Sequence, residues 1–113
     1  AMRTKTALLQ FEEMGIYRLL YSCTDAALLA QMKQETLSVL EEHDRRHNSN
    51  YVETLQCYLE FNGSIQAMAQ SMFTHRNTII YRMNNIKNLL GTELATPAER
   101  LPYQIALYIR DML

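Results

Sequence analysis

An all-α fold follows from three features of the sequence. Apolar residues recur at intervals of three and four rather than alternating. Glycine and proline are confined to three and two of the 113 positions, and strong helix formers such as Leu, Met, Ala, Gln and Glu are abundant. With 48% apolar residues the chain has the material for one compact domain with a real core. No apolar run approaches the roughly 20 residues of a membrane span, and no signal peptide is visible, so a soluble, cytoplasmic protein is expected. Ala1 ahead of Met2 reads as an expression scar. The expected organisation is a tag remnant and flexible start over 1–7, a helical support region over 8–48, and a three-helix unit with a closing helix over 49–113, all cut from a longer protein.

The elements follow in chain order. Leu8, Leu9 and Phe11 begin an apolar pattern that resumes at Ile16, Leu19 and Leu20, which predicts a turn near Gly15 leading into a short helix. Tyr17 and Tyr21 cover its edge by packing. Thr24 and Asp25 offer a cap for a helix that buries Ala27, Leu28, Leu29 and Met32. A further helical stretch carries Leu37, Val39 and Leu40 and ends in the charged run Glu41 to Arg46, a solvated helix end. His43 and His47 stand four apart, but no third ligand or metalloprotease glutamate accompanies them, so no metal site is assigned. Asn48 to Asn50 is a polar break, and Asn50-Tyr-Val-Glu53 is a capping-box pattern opening a helix that runs to about Phe61 on Val52, Leu55, Cys57, Tyr58 and Leu59. Cys23 and Cys57 lack a CxxC spacing and read as buried, reduced thiols.

Asn62-Gly63 turns the chain into Ser64, the N-cap candidate of a short helix with Ile65, Met68 and Met72 on one face. A tight corner leads to a second helix beginning at Thr74 or His75. Its apolar positions Ile79, Met83, Ile86 and Leu90 recur at intervals of four, three and four. The opposite side carries Asn77, Tyr81, Asn84, Asn85 and Asn88, with Thr78 and Arg82 on its flank and His75 and Arg76 at its first turn. Gly91 is placed to end the helix in a left-handed conformation. Thr96-Pro-Ala-Glu99 is a second capping box, Pro102 restarts or kinks the path, and Ile105, Ala106, Leu107, Ile109 and Leu113 form an apolar last helix. That helix closes the core or meets a partner subunit.

Charge is distributed unevenly. The chain as a whole carries a net charge of −1, yet Phe61 to Thr92 contains Arg76, Arg82 and Lys87 and no Asp or Glu. Positive charge beside a polar helix face suits a phosphate backbone, and Asn, Arg and Thr side chains suit base edges in a major groove. The plainer alternative is the solvated outer face of a helical bundle.

The string His75-Arg76-Asn77-Thr78-Ile79-Ile80-Tyr81-Arg82-Met83 resembles the C-terminal helix-turn-helix of PucR-type bacterial transcription regulators, a group that includes purine-catabolism and carbohydrate-diacid regulators. Phe11 to Gly15, Leu19-Leu20, Tyr51 to Leu55, Tyr58-Leu59 and Pro97 to Leu107 resemble the flanking elements, so the likeness covers most of the chain. Phe73 stands where related corners often carry glycine, and Thr74 where an aliphatic residue is expected. The resemblance implies a sequence-specific DNA-binding output domain, a homodimer or higher homo-oligomer on paired half-sites, and an upstream sensor of a small metabolite that lies outside this sequence.

On this reading the helix from about His75 to Leu90 enters the major groove of double-stranded DNA. Arg76, Asn77, Thr78 and Tyr81 approach bases or the adjacent backbone. Arg82, Asn85 and Lys87 contact phosphates, with Ser64, Gln66 and His75 as helpers near helix starts. The alternative from another class is an all-α protein-protein interaction module. Such a face presents apolar or aromatic anchors, for which only Tyr81, with Ile80 at its margin, qualifies. RNA binding would favour several exposed stacking aromatics, which this stretch lacks. No catalytic constellation, glycine-rich phosphate loop or GxSxG turn occurs, so neither an enzyme nor a cofactor is predicted.

Overall fold

The computed structural model describes residues 15, 16, 18–22 and 25–113. The expectations for the 1–7 start, for Leu8, Leu9 and Phe11, and for Tyr17, Cys23 and Thr24 lie outside the described residues. Within them the architecture is all-α: α1 (Ala26–His47), α2 (Tyr51–Glu60), α3 (Ile65–Ser71), α4 (Arg76–Leu90) and α5 (Pro97–Met112). Residues 15, 16 and 18–21 are also helical, so the short first helix includes Gly15 rather than following it. None of the described helices is long and apolar enough to cross a membrane.

The two stretches predicted over 26–47 are one continuous helix, because neither Gly nor Pro interrupts the run. Asp25 caps it by accepting the Leu28 N–H at 3.0 Å. Leu29, Leu37 and Leu40 are buried, whereas Leu28, Met32 and Val39, expected inside, are exposed. Rotation of about 100° per residue puts these three on a second stripe about 110° round the helix. The rest of the fold covers only the first stripe.

Between α1 and α2 the chain reverses through Asn48, whose φ of 50° is left-handed. The predicted Asn50–Glu53 capping box does not form, since Asn50 makes no side-chain cap to α2. Asp44 from the last turns of α1 takes its place. Its Oδ1 accepts the Tyr51 N–H at 2.7 Å and the Ser49 hydroxyl at 2.6 Å, and its Oδ2 accepts the Val52 N–H at 3.0 Å. A carboxylate is a stronger acceptor for free amides than a neutral amide oxygen, and it complements the positive end of the helix. Glu53 is exposed, and the Asn50 amide oxygen accepts the Thr54 hydroxyl at 3.4 Å rather than a backbone amide of α2.

The core draws Leu37 and Leu40 from α1 together with Val52, Leu55, Met68, Ile79, Met83, Ile86, Ala106 and Leu107 from the other four helices. Each large aliphatic side chain removed from water in this way contributes about 1.5–3 kcal/mol. Helix α2 is the most deeply embedded: even Thr54 is fully buried, its hydroxyl donating back to the Asn50 carbonyl at 2.8 Å. Cys57 is a buried free thiol whose pKa burial pushes up, against an opposing hydrogen bond with Ser71.

The turn into α3 uses left-handed Asn62 and Gly63. A Cβ on Gly63 would stand 3.4 Å from the Tyr58 ring. Beyond α4, Leu94 drops into the core with a φ of 54° and none of its surface exposed, an inward residue that periodicity alone does not reveal. Thr96 and Glu99 form the predicted capping box, and Glu99 also receives the Thr92 hydroxyl at 2.8 Å. Of the restart or kink expected at Pro102, the restart does not occur: α5 is continuous through it. Pro102 has no N–H to offer the Ala98 carbonyl one turn back, and Ala98 is exposed to solvent.

Two stability predictions follow from these caps. Asp44→Ala is expected to lower the unfolding free energy by about 1–2 kcal/mol, read by urea denaturation, because it leaves two amides of α2 without their acceptor. The Glu99 carboxyl is held below its usual range, first by the Thr92 hydroxyl and then by the Thr96 backbone, with burial opposing. A depressed folded-state pKa stabilises fully above the unfolded value, and that stability is lost as pH falls through the folded value. Glu99→Gln should therefore lower the melting temperature at neutral pH. Its difference from the wild type should fade as the pH is taken well below the ordinary value of 4.5.

Candidate nucleic-acid interface

Helices α3 and α4 meet at a corner closed by backbone hydrogen bonds. The Thr74 N–H donates to the Ala69 carbonyl at 3.0 Å, and the Met72 N–H donates to Met68 at 2.9 Å. Helix α3 starts where Ser64 accepts the Ala67 N–H at 3.2 Å. Helix α4 starts where His75 Nδ1 accepts the Asn77 N–H at 3.0 Å, so His75 is an N-cap. This bond requires an unprotonated Nδ1. Gly91 ends α4 at a φ of 72°, its N–H and that of Thr92 both reaching the Lys87 carbonyl.

The apolar stripe of α4 sets its rotation. Ile79, Met83 and Ile86 are buried and Leu90 packs half-buried against them. Opposite, Asn77, Tyr81, Asn84 and Asn88 are exposed, as are Thr78 on the flank and Arg76 at the first turn. These six and the exposed His75 form one surface with hydrogen-bonding groups throughout and no carboxylate among them.

The remaining predicted site residues fall on the two flanks or elsewhere. Asn85 is half-buried, its Nδ2 donating to the Tyr51 hydroxyl at 2.9 Å, so its amide is engaged with α2. On the other flank Lys87 is half-buried with Nζ 5.5 Å from the Tyr58 ring centroid, a cation-π contact. Arg82 is half-buried, and its Nη1 is enclosed without a hydrogen-bond partner among the described residues. It lines an open polar cleft with His47, Asn48, Ser49, Asn50 and Tyr51. Ser64 and Gln66 are exposed at the start of α3, about 10 Å along that helix from the corner.

Two features of this surface escape sequence reasoning. The cleft joins Arg82 to the α1–α2 reversal more than thirty positions away, a proximity that no local pattern encodes. His43, half of the histidine pair, is instead structural: its ring stacks on Tyr51 at 4.3 Å and its Nδ1 lies 2.9 Å from the Ser49 hydroxyl. Among the described residues no group of three or more His, Cys, Asp or Glu side chains is placed to hold a metal ion. The second feature is Phe73 at the corner, which is 96% exposed.

Comparisons with known proteins agree with this geometry. Residues 51–109, which run from the start of α2 into the last turns of α5, match the model of the PucR C-terminal helix-turn-helix domain. The chain is similar to the DNA-binding transcriptional activator AdeR of Bacillus subtilis, with 30% identity over 93% of this chain and 25% of that protein. It is similar to the purine catabolism regulatory protein of the same organism, at 32% identity over 75% of this chain and 16% of the relative. With the carbohydrate diacid regulator of Escherichia coli it shares 36% identity over 51% of this chain and 15% of the relative. The chain thus spans a quarter or less of the length of each of these proteins. With α3, its corner and α4 as the helix-turn-helix, braced by α2 and closed by α5, the chain belongs to the PucR C-terminal helix-turn-helix domain family.

Proposed function

We propose that this chain is the sequence-specific DNA-binding output domain of a bacterial transcription regulator, with α4 in the major groove of duplex DNA. The observation that carries the reading is the outward face of α4, where Arg76, Asn77, Thr78, Tyr81, Asn84 and Asn88 are exposed together without a carboxylate. A recognition helix presents its first-turn and outward residues to base edges. Arg76 and Asn77 have the donor and acceptor sets for guanine and adenine respectively, while Thr78 and Tyr81 reach bases or the adjacent backbone. The family membership and the regulator names carried by its relatives support the same assignment.

Arg82 is the strongest phosphate ligand in this scheme. Its enclosed Nη1 has no protein acceptor among the described residues, and a buried donor without a partner is costly. Swung out to the mouth of the cleft, the same donor pairs with a backbone phosphate. Lys87 contributes through its charge from the opposite flank, and Asn85 mainly by holding α4 against Tyr51. His75, Ser64 and Gln66 act at helix starts, where free amides favour anions.

The unit over 49–113 makes the contacts, and the support region over 8–48 holds it. One helix-turn-helix reads a short site, so a homodimer or higher homo-oligomer on paired half-sites is part of the proposal. Exposed Leu28, Met32 and Val39 on α1 and Leu101 on α5 supply apolar surface for self-association. The greater length of the relatives supports a further region, and the proposal assigns to it the sensing of a small metabolite. The domain acts in the cytoplasm, and catalysis forms no part of its role.

The test is selection from a random duplex pool at two salt concentrations, with an Arg76→Ala/Arg82→Ala double variant alongside. The parent is expected to enrich one motif and the folded double variant none. Among single variants, Arg76→Ala should cost about 1–3 kcal/mol and relax preference at one base pair. Lys87→Ala should weaken binding on all sequences and reduce the salt slope by about one. Equal losses on every sequence for both would refute that division of roles, and a folded parent that selects nothing would favour protein docking by the same face.

A further inference from the structure

Four described residues other than glycine have left-handed backbones: Asn48, Asn62, Phe73 and Leu94. Asparagine tolerates that conformation because its side chain hydrogen-bonds locally. Leu94 is strained but fully buried, and the apolar surface it removes from water offsets the strain. Phe73 has neither compensation. Its φ is 51° and it is 96% exposed, the most exposed large hydrophobic residue among those described. Glycine would permit the same corner, in which the Phe73 N–H reaches the Gln70 carbonyl at 3.4 Å and the Thr74 N–H reaches Ala69. The fold therefore gains nothing from the ring.

Its surroundings indicate what the ring meets. Phe73 stands two residues before the N-cap His75, directly ahead of Arg76 and Asn77. Gln70, Ser71, His75, Arg76 and Asn77 around it in sequence are all exposed and polar. Protein-docking surfaces present contiguous apolar patches with several anchors, whereas from Gln70 to Asn88 the one other exposed large hydrophobic residue is Tyr81, which carries a hydroxyl. A lone apolar group among hydrogen-bonding ones matches the major groove, where the C5-methyl of thymine is the apolar element among donors and acceptors and where Phe is a suitable contact for it.

We propose that Phe73 is a specificity-determining residue that packs on the C5-methyl group of a thymine beside the bases read by the first turn of α4. This rests on the DNA-binding reading above. It adds to that reading a residue outside α4 and the base that residue selects.

The experiment uses the duplex that the 113-residue chain selects from a random pool. Each thymine is replaced in turn by deoxyuridine, which removes only the methyl group, and affinities are measured for the parent and for Phe73→Gly. The parent is expected to lose about fourfold in affinity at one position on removal of the methyl, and Phe73→Gly should bind thymine and uracil there equally. Phe73→Gly should melt at the parent's temperature or above it, because the strained Cβ is gone. A parent that selects a motif but is indifferent to every methyl, or a glycine variant with undiminished discrimination, overturns this assignment alone. A folded parent that selects no duplex overturns the DNA-binding reading and the Phe73 assignment together.

Discussion

The Asp44 carboxylate joins the supporting part of the fold to the part that presents the polar helix. Helix α1 ends and α2 begins within four residues, and such a reversal leaves carbonyls of one helix and amides of the next without partners. Asp44 serves both ends: its backbone carbonyl receives the Ser49 N–H, and its side chain receives the Tyr51 and Val52 N–H groups and the Ser49 hydroxyl. The direction in which α2 leaves α1 is thereby fixed. Since α2 packs against α1, α3, α4 and α5 alike, that direction sets the placement of the other helices.

Local rules read much of this chain correctly, and their failures have a common cause. Helix α4, its stripe of Ile79, Met83 and Ile86, its Gly91 terminus and the Thr96–Glu99 capping box all depend on residues within one or two turns of each other, so spacing reveals them. The Asn50 cap fails because a charged acceptor arrives from the preceding helix. Leu28, Met32 and Val39 are apolar at helical spacing yet exposed, because periodicity shows that a stripe exists but not whether anything covers it. The same limit applies to the outward surface. The sequence shows which α4 residues share a face, whereas the engagement of Asn85 with Tyr51 and the enclosure of Arg82 beside Asn48 to Asn50 depend on how helices cross.

The uneven charge acquires a spatial meaning in the fold. Three cations without a carboxylate are a modest field for a polyanion, and they do not act from one side. Arg76 is exposed at the first turn of α4, Arg82 is enclosed on one flank and Lys87 lies over an aromatic ring on the other. Arg45 and Arg46, near the cleft in sequence, both pair with Glu42 and contribute less than their number implies. On the DNA-binding reading proposed above, such a face relies more on directed hydrogen bonds than on bulk attraction, and selectivity depends on how accurately α4 is turned about its own axis.

That rotation is restrained more tightly than an apolar stripe alone allows. Buried aliphatic side chains tolerate small rolling movements, but a helix advances about 100° per residue, so a roll of about 50° already turns Asn77 halfway to the place of its neighbour. Tyr51 and Tyr58 oppose such a roll. They are seven residues apart on α2, hence on one face two turns apart, and both are buried. The Tyr51 hydroxyl accepts Asn85 on one flank of α4, and the Tyr58 ring lies under Lys87 on the other. Rolling α4 in either direction lengthens one of these contacts. Tyr51 is itself held by the stacked His43 ring and by the Asp44 cap, while Tyr58 has Gly63 against its edge and Arg100 above it at 5.8 Å. Two tyrosines thus transmit the positions of α1 and α5 to the rotation of α4, and this indexing is the physical task of the otherwise unremarked helix α2.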